Sequence, residues 1–494
     1  MRAASISLAA KIREVGFHSL IYGFGSVAQS AVQFLLIPIL TATLATAEFG
    51  AYSLIQMVGV IAAAVFYLGM TSALPRSYFD YSDEADRRSV FTTAFLLLLA
   101  GASIQVALGA LAGRSISRVL LHTDRYHAAV FWSLLASAVS FINYFFFSYL
   151  RFLRRSIASI LLSLLALFGS IGGSLYLLRL NRQDLTAPFK GIAYAQAAVS
   201  VIFLLIHGRR AFAISIHKRE ISTLLRFGVP TVITSIAAMV IDWADRIFIE
   251  RMLSVADVGV YSVGYRLGSI VNALVILPFT QIWNPMMIEY RSHDNITEFF
   301  SRMVSYYFLV SSFILVSACV FVREALPIVA RSAAYAAAAP VILLVMTGYL
   351  INGSSNILGA GVIYERRILR FAVVYYAIAI LKMALNLYFI PTFGIVGAAA
   401  TTLLIYMLMP ILVYWQARRF FAIRFESGRL IRISLILLIS LIFGLVIDVH
   451  YHVPLAAKAV LFLALITMLV VFGTDETEKR RIRNLIARRA IPVP

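Results

Sequence analysis

One cysteine, Cys319, stands in 494 residues, so no intramolecular disulfide framework is available and cysteine usage fixes no redox compartment. Charge is nearly as scarce: Asp, Glu, Lys and Arg make up 13% of the chain, about half the roughly 25% of an ordinary soluble domain. Apolar residues make up 61%, so lipid must replace water over most of the surface. The eight histidines fall mainly at the ends of apolar runs, without HExxH or His/Cys ligand spacing, and no Walker or Rossmann glycine pattern occurs. An ATP-driven pump is therefore excluded, and no enzyme chemistry or metal site is expected. No loop exceeds about twenty residues, which leaves no room for the sizeable outer loop that a membrane-embedded polymerase or ligase would need.

What is present is a series of apolar runs, each near the twenty residues that cross a bilayer as a helix, without the alternation of barrel strands. The expected fold is an all-α polytopic membrane protein with about fourteen spans: 17–44, 50–72, 90–112, 128–150, 156–179, 190–207, 227–250, 257–284, 302–322, 337–363, 368–390, 394–416, 430–448 and 454–473. Met1 to Ala10 is short and weakly apolar, and Lys11, Arg13 and Glu14 interrupt it, so the first span is expected to insert as an uncleaved anchor.

Basic residues outnumber acidic ones 43 to 23, for a net charge of +20. They are dispersed over short loops with no soluble domain to present them, which argues against a nucleic-acid partner. Roughly 30 of them fall at the N-terminus and in every second loop, which puts both termini in the cytoplasm, N-in and C-in. Arg76, Arg151, Arg154 and Arg155 cluster at helix ends on that side, where they meet anionic lipids.

A stretch of the chain is written twice. Ala47 to Ile61 reads AEFGAYSLIQMVGVI, and Ala256 to Ile270, 209 positions later, reads ADVGVYSVGYRLGSI, with six of fifteen residues identical. Six spans per half imply two parallel bundles related by an axis along the membrane normal. The expected organisation is a cytoplasmic segment 1–16, a six-helix bundle 17–207, a linker 208–226, a second bundle 227–416, a loop 417–429, two extra spans in 430–473, and a basic tail 474–494. Gly50 and Gly259 follow a short acidic turn in each copy, and with Gly59 and Gly268 they read as close-packing devices. Pro391, Gly394 and Gly397-Ala398-Ala399 mark the turn between the eleventh and twelfth spans.

The acidic-x-Gly-x-Tyr-Ser turn in each half, Asp245-Arg246 upstream of the second copy, and the Asn386, Pro391, Gly394, Gly397-Ala398-Ala399 cluster together resemble the polysaccharide flippases. These belong to the multidrug/oligosaccharidyl-lipid/polysaccharide exporter superfamily, and the likeness runs from about residue 17 to the C-terminus. It implies transfer of an undecaprenyl-diphosphate-linked oligosaccharide between leaflets of the bacterial inner membrane for O-antigen, capsule or exopolysaccharide synthesis. Such a protein has no cofactor, is coupled to an H⁺ or Na⁺ gradient, and has glycosyltransferases or a polymerase as partners. A multidrug antiporter or a lipid II flippase of the same superfamily is the alternative. The former fits poorly because it takes cationic drugs; the latter's early arginine and aspartate signatures are missing here.

Ionisable groups inside a membrane are functional candidates by default. At 1.5 Å per residue, Arg266 lies roughly 14 Å into span eight, near the midplane, and its guanidinium fork matches phosphate oxygens. An ion pair with Asp242 or Asp245 is its alternative role. Lys382 lies roughly 21 Å into span eleven with Asn386 one turn on. It reads either as a second substrate contact or as a side chain snorkelling to the outer interface. Arg76 completes the substrate-binding candidates. Asp242, Asp245 and Arg246, in the outer third of span seven, are candidates for ion coupling or for a structural ion pair. The first half offers only amides: Gln29, Gln33, Gln56, Gln105, Asn143 and Gln196.

Overall fold

The computed structural model describes residues 36–181, 184–213, 218–290, 296–361, 369–447, 453–474 and 478–479. Among the described residues the secondary structure is helical, with no strand. Twelve segments are long and apolar enough to cross a membrane. Large side chains such as Leu111, Leu205 and Ile328 are left 88%, 79% and 74% exposed, as suits a surface that faces lipid. The chain is therefore a multi-pass α-helical membrane protein. Residues 17–35 of the first expected span lie outside the described residues.

The helices used below are α1 (Leu36–Thr43), α2 (Thr46–Phe66), α3 (Met70–Asp80), α4 (Glu84–Leu121), α5 (His127–Phe152), α6 (Ser156–Leu180), α7 (Ala187–Ala211), α8 (Lys218–Trp243), α9 (Asp245–Met252), α10 (Val255–Gly268), α11 (Leu277–Glu289), α12 (Ile296–Ala330), α13 (Ala339–Gly353), α14 (Leu369–Ala417), α15 (Ser427–Ile442) and α16 (Leu455–Gly473). The expected spans eleven and twelve are the two arms of α14, one apolar segment that breaks at Gly394 (φ 61°, ψ −142°). Eight residues of straight helix would separate Phe389 from Gly397 by about 12 Å. A side chain at Gly397 would instead overlap the Phe389 carbonyl, so the chain doubles back there.

By contacts the chain forms two compact units, residues 1–263 with 369–398 and residues 264–368 with 399–494. The units do not follow the two sequence halves, because α8, α9, most of α10 and the first arm of α14 group with the first half. The first unit is packed by aromatics: Phe146 and Phe203 stack at 4.0 Å between α5 and α7, and Phe91 lies 4.1 Å from Tyr149. Inside this unit the two copies of the repeat meet. A methyl on Gly50 would overlap the Val255 carbonyl, and one on Gly259 would overlap the Thr46 carbonyl. Val255 stands 209 positions after Thr46, as Gly259 does after Gly50, so the contact is reciprocal, as a pseudo-two-fold axis requires. The acid of each copy secures the turn before it: the Ala45 amide donates to Glu48 Oε2 at 3.3 Å, and the Ser254 hydroxyl donates to Asp257 Oδ2 at 2.6 Å.

The second unit holds one cluster around Trp283, Phe300 and Tyr307 and another in which Val316 and Val320 of α12 pack against Ile433, Ile436, Leu465 and Leu469. The two extra C-terminal helices thus have a shared core with α12. Arg429, 3% exposed, clips their ends together, donating to the Gly473 carbonyl at 2.6 Å and to Glu478 at 3.0 Å.

Candidate functional site

The span that would run unbroken through residues 227–250 is two helices. α8 stops at Trp243, Ala244 forms a turn, and α9 starts at Asp245. An aspartate is poor in a helix interior and favourable at a helix start, where it faces the positive end of the dipole. Carbonyls in the last turn of a helix have no following turn to accept from. Here two side-chain cations supply donors: Lys382 Nζ donates to the Ile241 carbonyl, and Arg246 Nη1 donates to the Asp242 carbonyl at 3.0 Å.

Asp245 lies at the centre of the break, 0% exposed. Its Oδ2 accepts from the Tyr261 hydroxyl at 2.5 Å and from Lys382 Nζ at 2.8 Å, and its Oδ1 accepts from Asn386 Nδ2 at 2.7 Å. Lys382 and Asn386 are four apart and so share a face of the first arm of α14. They are 1% and 0% exposed. Arg246 covers the cluster from the other side, its guanidinium 4.4 Å from the Trp243 ring and 5.8 Å from that of Tyr261. A buried pair adds little net stability but is costly to break, since removing one partner strands the other charge. This cluster therefore fixes the register of α14 on α9.

One expectation is revised, and the other candidates are placed. Lys382 does not snorkel to an interface: its ammonium is enclosed and bound to Asp245 and to a helix end. The Arg246 guanidinium caps the Asp242 main chain. Arg266 sits in the last turn of α10 and is half-buried. Arg76 is exposed, its guanidinium 4.0 Å above the Phe227 ring. Asp242 is half-buried. The amides of the first half join helices: Asn143 donates to the Gln196 carbonyl and to its Oε1, both at 2.7 Å, and Gln105 donates to the Leu134 carbonyl at 2.9 Å. Gln29 and Gln33 lie outside the described residues.

Sequence reasoning missed Tyr261 as a partner of Asp245, although it is the tyrosine of the repeated turn. It also missed three tyrosines of the second unit, from α10, α13 and the second arm of α14. The Tyr265 hydroxyl lies 3.1 Å from that of Tyr349 and 3.5 Å from that of Tyr406, and Tyr349 is the half-buried member. All three stand near the middle of their spans, and Tyr265 directly precedes Arg266.

Paired repeats, a helix broken in the outer part of its span and buried charge confined to a few positions are features from which membrane transporters are built. Residues 18–291, more than half of the chain, match the family described as "Polysaccharide biosynthesis protein", and the chain belongs to that family. Its fold is shared with solved structures of the MOP superfamily. The lipid II flippase MurJ, in an inward closed conformation, aligns with a TM-score of 0.67 over 95% of this chain and 99% of its own, at 14% identity. An inward-facing multidrug resistance MATE family transporter aligns at 0.62 over 80% and 94%, at 11% identity. A variant of the Vibrio cholerae MATE transporter VcmN aligns at 0.58 over 82% and 97%, at 13% identity. At such identities the likeness is one of fold. No curated protein sequence matches the chain significantly.

Proposed function

We propose that this protein is an alternating-access flippase that moves a polyprenyl-diphosphate-linked oligosaccharide, undecaprenyl in a bacterial inner membrane, toward surface polysaccharide synthesis. The cycle draws on an ion gradient, and both termini face the cytoplasm. The observation that carries this reading is Arg266, a half-buried guanidinium near mid-span, one residue from a cluster of tyrosine hydroxyls in a polysaccharide biosynthesis protein. A guanidinium stays charged in a poorly hydrated site and grips a diphosphate in two places, while aromatic hydroxyls suit sugars. A lipid II flippase, the activity named for one structural neighbour, would carry cargo of the same lipid-linked saccharide class. A multidrug antiporter, named for others, takes cations, which Arg266 would repel.

The test is reconstitution in liposomes with a fluorescent short-chain polyprenyl-diphosphate saccharide. Arg266→Ala should cut the flipping rate at least about tenfold, the loss of roughly 1.5–3 kcal/mol for a charged hydrogen bond, and Arg266→Lys should retain part of it. Unchanged flipping by Arg266→Ala, at equal protein content, rejects the headgroup role.

A further inference from the structure

We infer that the break between α8 and α9 is a monovalent-cation site whose occupant is the protein's own Lys382 ammonium, so that Na⁺ does not bind at Asp245 in the native chain. A broken transmembrane helix offers a cation two things: the negative end of the first half-helix and main-chain carbonyls in its last turn. Both are present, and both face a charged nitrogen already on the chain. Lys382 Nζ binds the Ile241 carbonyl of that turn and lies 2.8 Å from Asp245 Oδ2. Asn386 and Tyr261 contribute the remaining polar groups around the carboxylate, at 2.7 Å and 2.5 Å. The carboxylate and the helix carbonyl are hard oxygen ligands of the kind that hold a hard cation, and Asn386 and Tyr261, both donating to Asp245, fix the carboxylate in place. The tethered ammonium bonds both of those oxygens.

The local charge makes the assignment selective. Two carboxylates, Asp242 and Asp245, and two cations, Arg246 and Lys382, lie within or against the break. Adding Na⁺ would leave an uncompensated positive charge in a site that water scarcely reaches, and two cations sharing one carboxylate repel strongly at low dielectric. A lysine also cannot diffuse away, so the arm of α14 that carries it stays docked while the ammonium is bound.

The inference rests on the ion-driven flippase reading only for its consequence, that Na⁺ at this carboxylate does not drive the cycle. The site can be examined without any substrate, so failure of the flippase reading leaves it standing. The full-length protein is purified in detergent, and its melting temperature and its binding of radiolabelled Na⁺ are measured as choline is exchanged for Na⁺ at constant ionic strength. The wild type should melt at the same temperature throughout and show no saturable Na⁺ binding that depends on Asp245. Lys382→Ala should melt lower in choline, recover along a saturation curve as Na⁺ rises, and bind Na⁺ saturably. Adding Asp245→Asn to Lys382→Ala should abolish both effects. If Lys382→Ala is not recovered folded, Lys382→Gln, which keeps a donor for the Ile241 carbonyl, is measured in its place. Saturable Na⁺ binding by the wild type that is lost in Asp245→Asn overturns the inference, and so does a folded Lys382→Ala or Lys382→Gln indifferent to Na⁺.

Discussion

The two halves of the chain share a repeat and a reciprocal glycine contact, yet they are held together by different chemistry. In the first half the buried polar groups are neutral: Asn143 bonds Gln196 and accepts from Ser200 at 3.0 Å, and Gln105 reaches across to α5. Among the described residues every buried charged side chain, Glu220, Asp245, Arg246, Glu250, Lys382, Arg429 and Lys458, lies at position 220 or later. A neutral amide holds two helices at little risk, because in lipid its loss costs only part of one hydrogen bond. A buried ion pair is a commitment: it holds a register strongly while intact and becomes a liability once one partner is gone. The duplicated frame therefore carries a half joined by neutral bonds and a half in which charge holds position.

The largest effect expected from this contrast is at Asp245. Asp245→Ala should destabilise the protein by about 3–5 kcal/mol, because Lys382 is left charged and enclosed. The double change Asp245→Ala with Lys382→Met should cost less than the single one, since no stranded charge remains. Chemical denaturation in detergent, followed by Trp fluorescence, measures both. A double variant as unstable as the sum of the single ones would show that the pair does not act as a unit and would erase the contrast with the first half.

How far this was legible in the sequence differs by feature. The 209-residue offset was legible, and it corresponds to a physical contact, Gly50 on Val255 and Gly259 on Thr46. At both positions a side chain larger than glycine's hydrogen meets a main-chain carbonyl. That the described part of the first bundle holds no buried charged side chain was legible too, because apolar runs expose every interruption. The pairing of Lys382 with Asp245 was not, since 137 positions separate them and periodicity says nothing about which helices touch. Depth was the unused signal: counting 1.5 Å per residue puts both in the outer part of their spans. The break at Ala244 was hidden because neither a proline nor a glycine marks it, and Asp242, Asp245 and Arg246 around it read equally well as charges near the end of one helix. Arg429 is one of many basic residues between apolar runs, yet it is buried and tied to Gly473 and Glu478. Its neighbours across the chain, and not its own surroundings in sequence, give it that role.

The next effects sharpen the comparison from its symmetric side. Gly50→Ala and Gly259→Ala each push a methyl into a main-chain carbonyl that cannot rotate away, and each should cost about 1–3 kcal/mol. Because the contact is reciprocal the two losses should be nearly equal, and melting curves of the paired variants measure this. A large difference between them would mean that the halves depart from symmetry in their backbone as well as in their charge. Smaller again is the amide latch. Asn143→Ala should cost about 0.6 kcal/mol, the mean for a hydrogen bond between transmembrane helices, with little further loss when Gln196→Ala is added.

The smallest effect lies where the first half does carry charge, in its loops. Arg118, at the end of α4, grips Asp124 with two bonds, Nε to Oδ1 at 2.5 Å and Nη2 to Oδ2 at 2.6 Å. The hydrogen bond from Arg118 holds the Asp124 carboxyl below the usual carboxylate range, aided by the positive charge of the same guanidinium. A carboxyl lowered on folding contributes stability that is fully present above its unfolded pKa and is lost as pH falls through its folded pKa. Asp124→Asn should therefore lower the melting temperature slightly at neutral pH, and the gap to the wild type should close as the medium is acidified below the ordinary carboxylate range. The pair is open to water, so added salt should shrink the gap as well. A gap at Asp124 as wide as that at Asp245, or one indifferent to salt, would mean that the first half also relies on charge shielded from solvent, and the division between a neutral half and a charged half would fail at its simplest point.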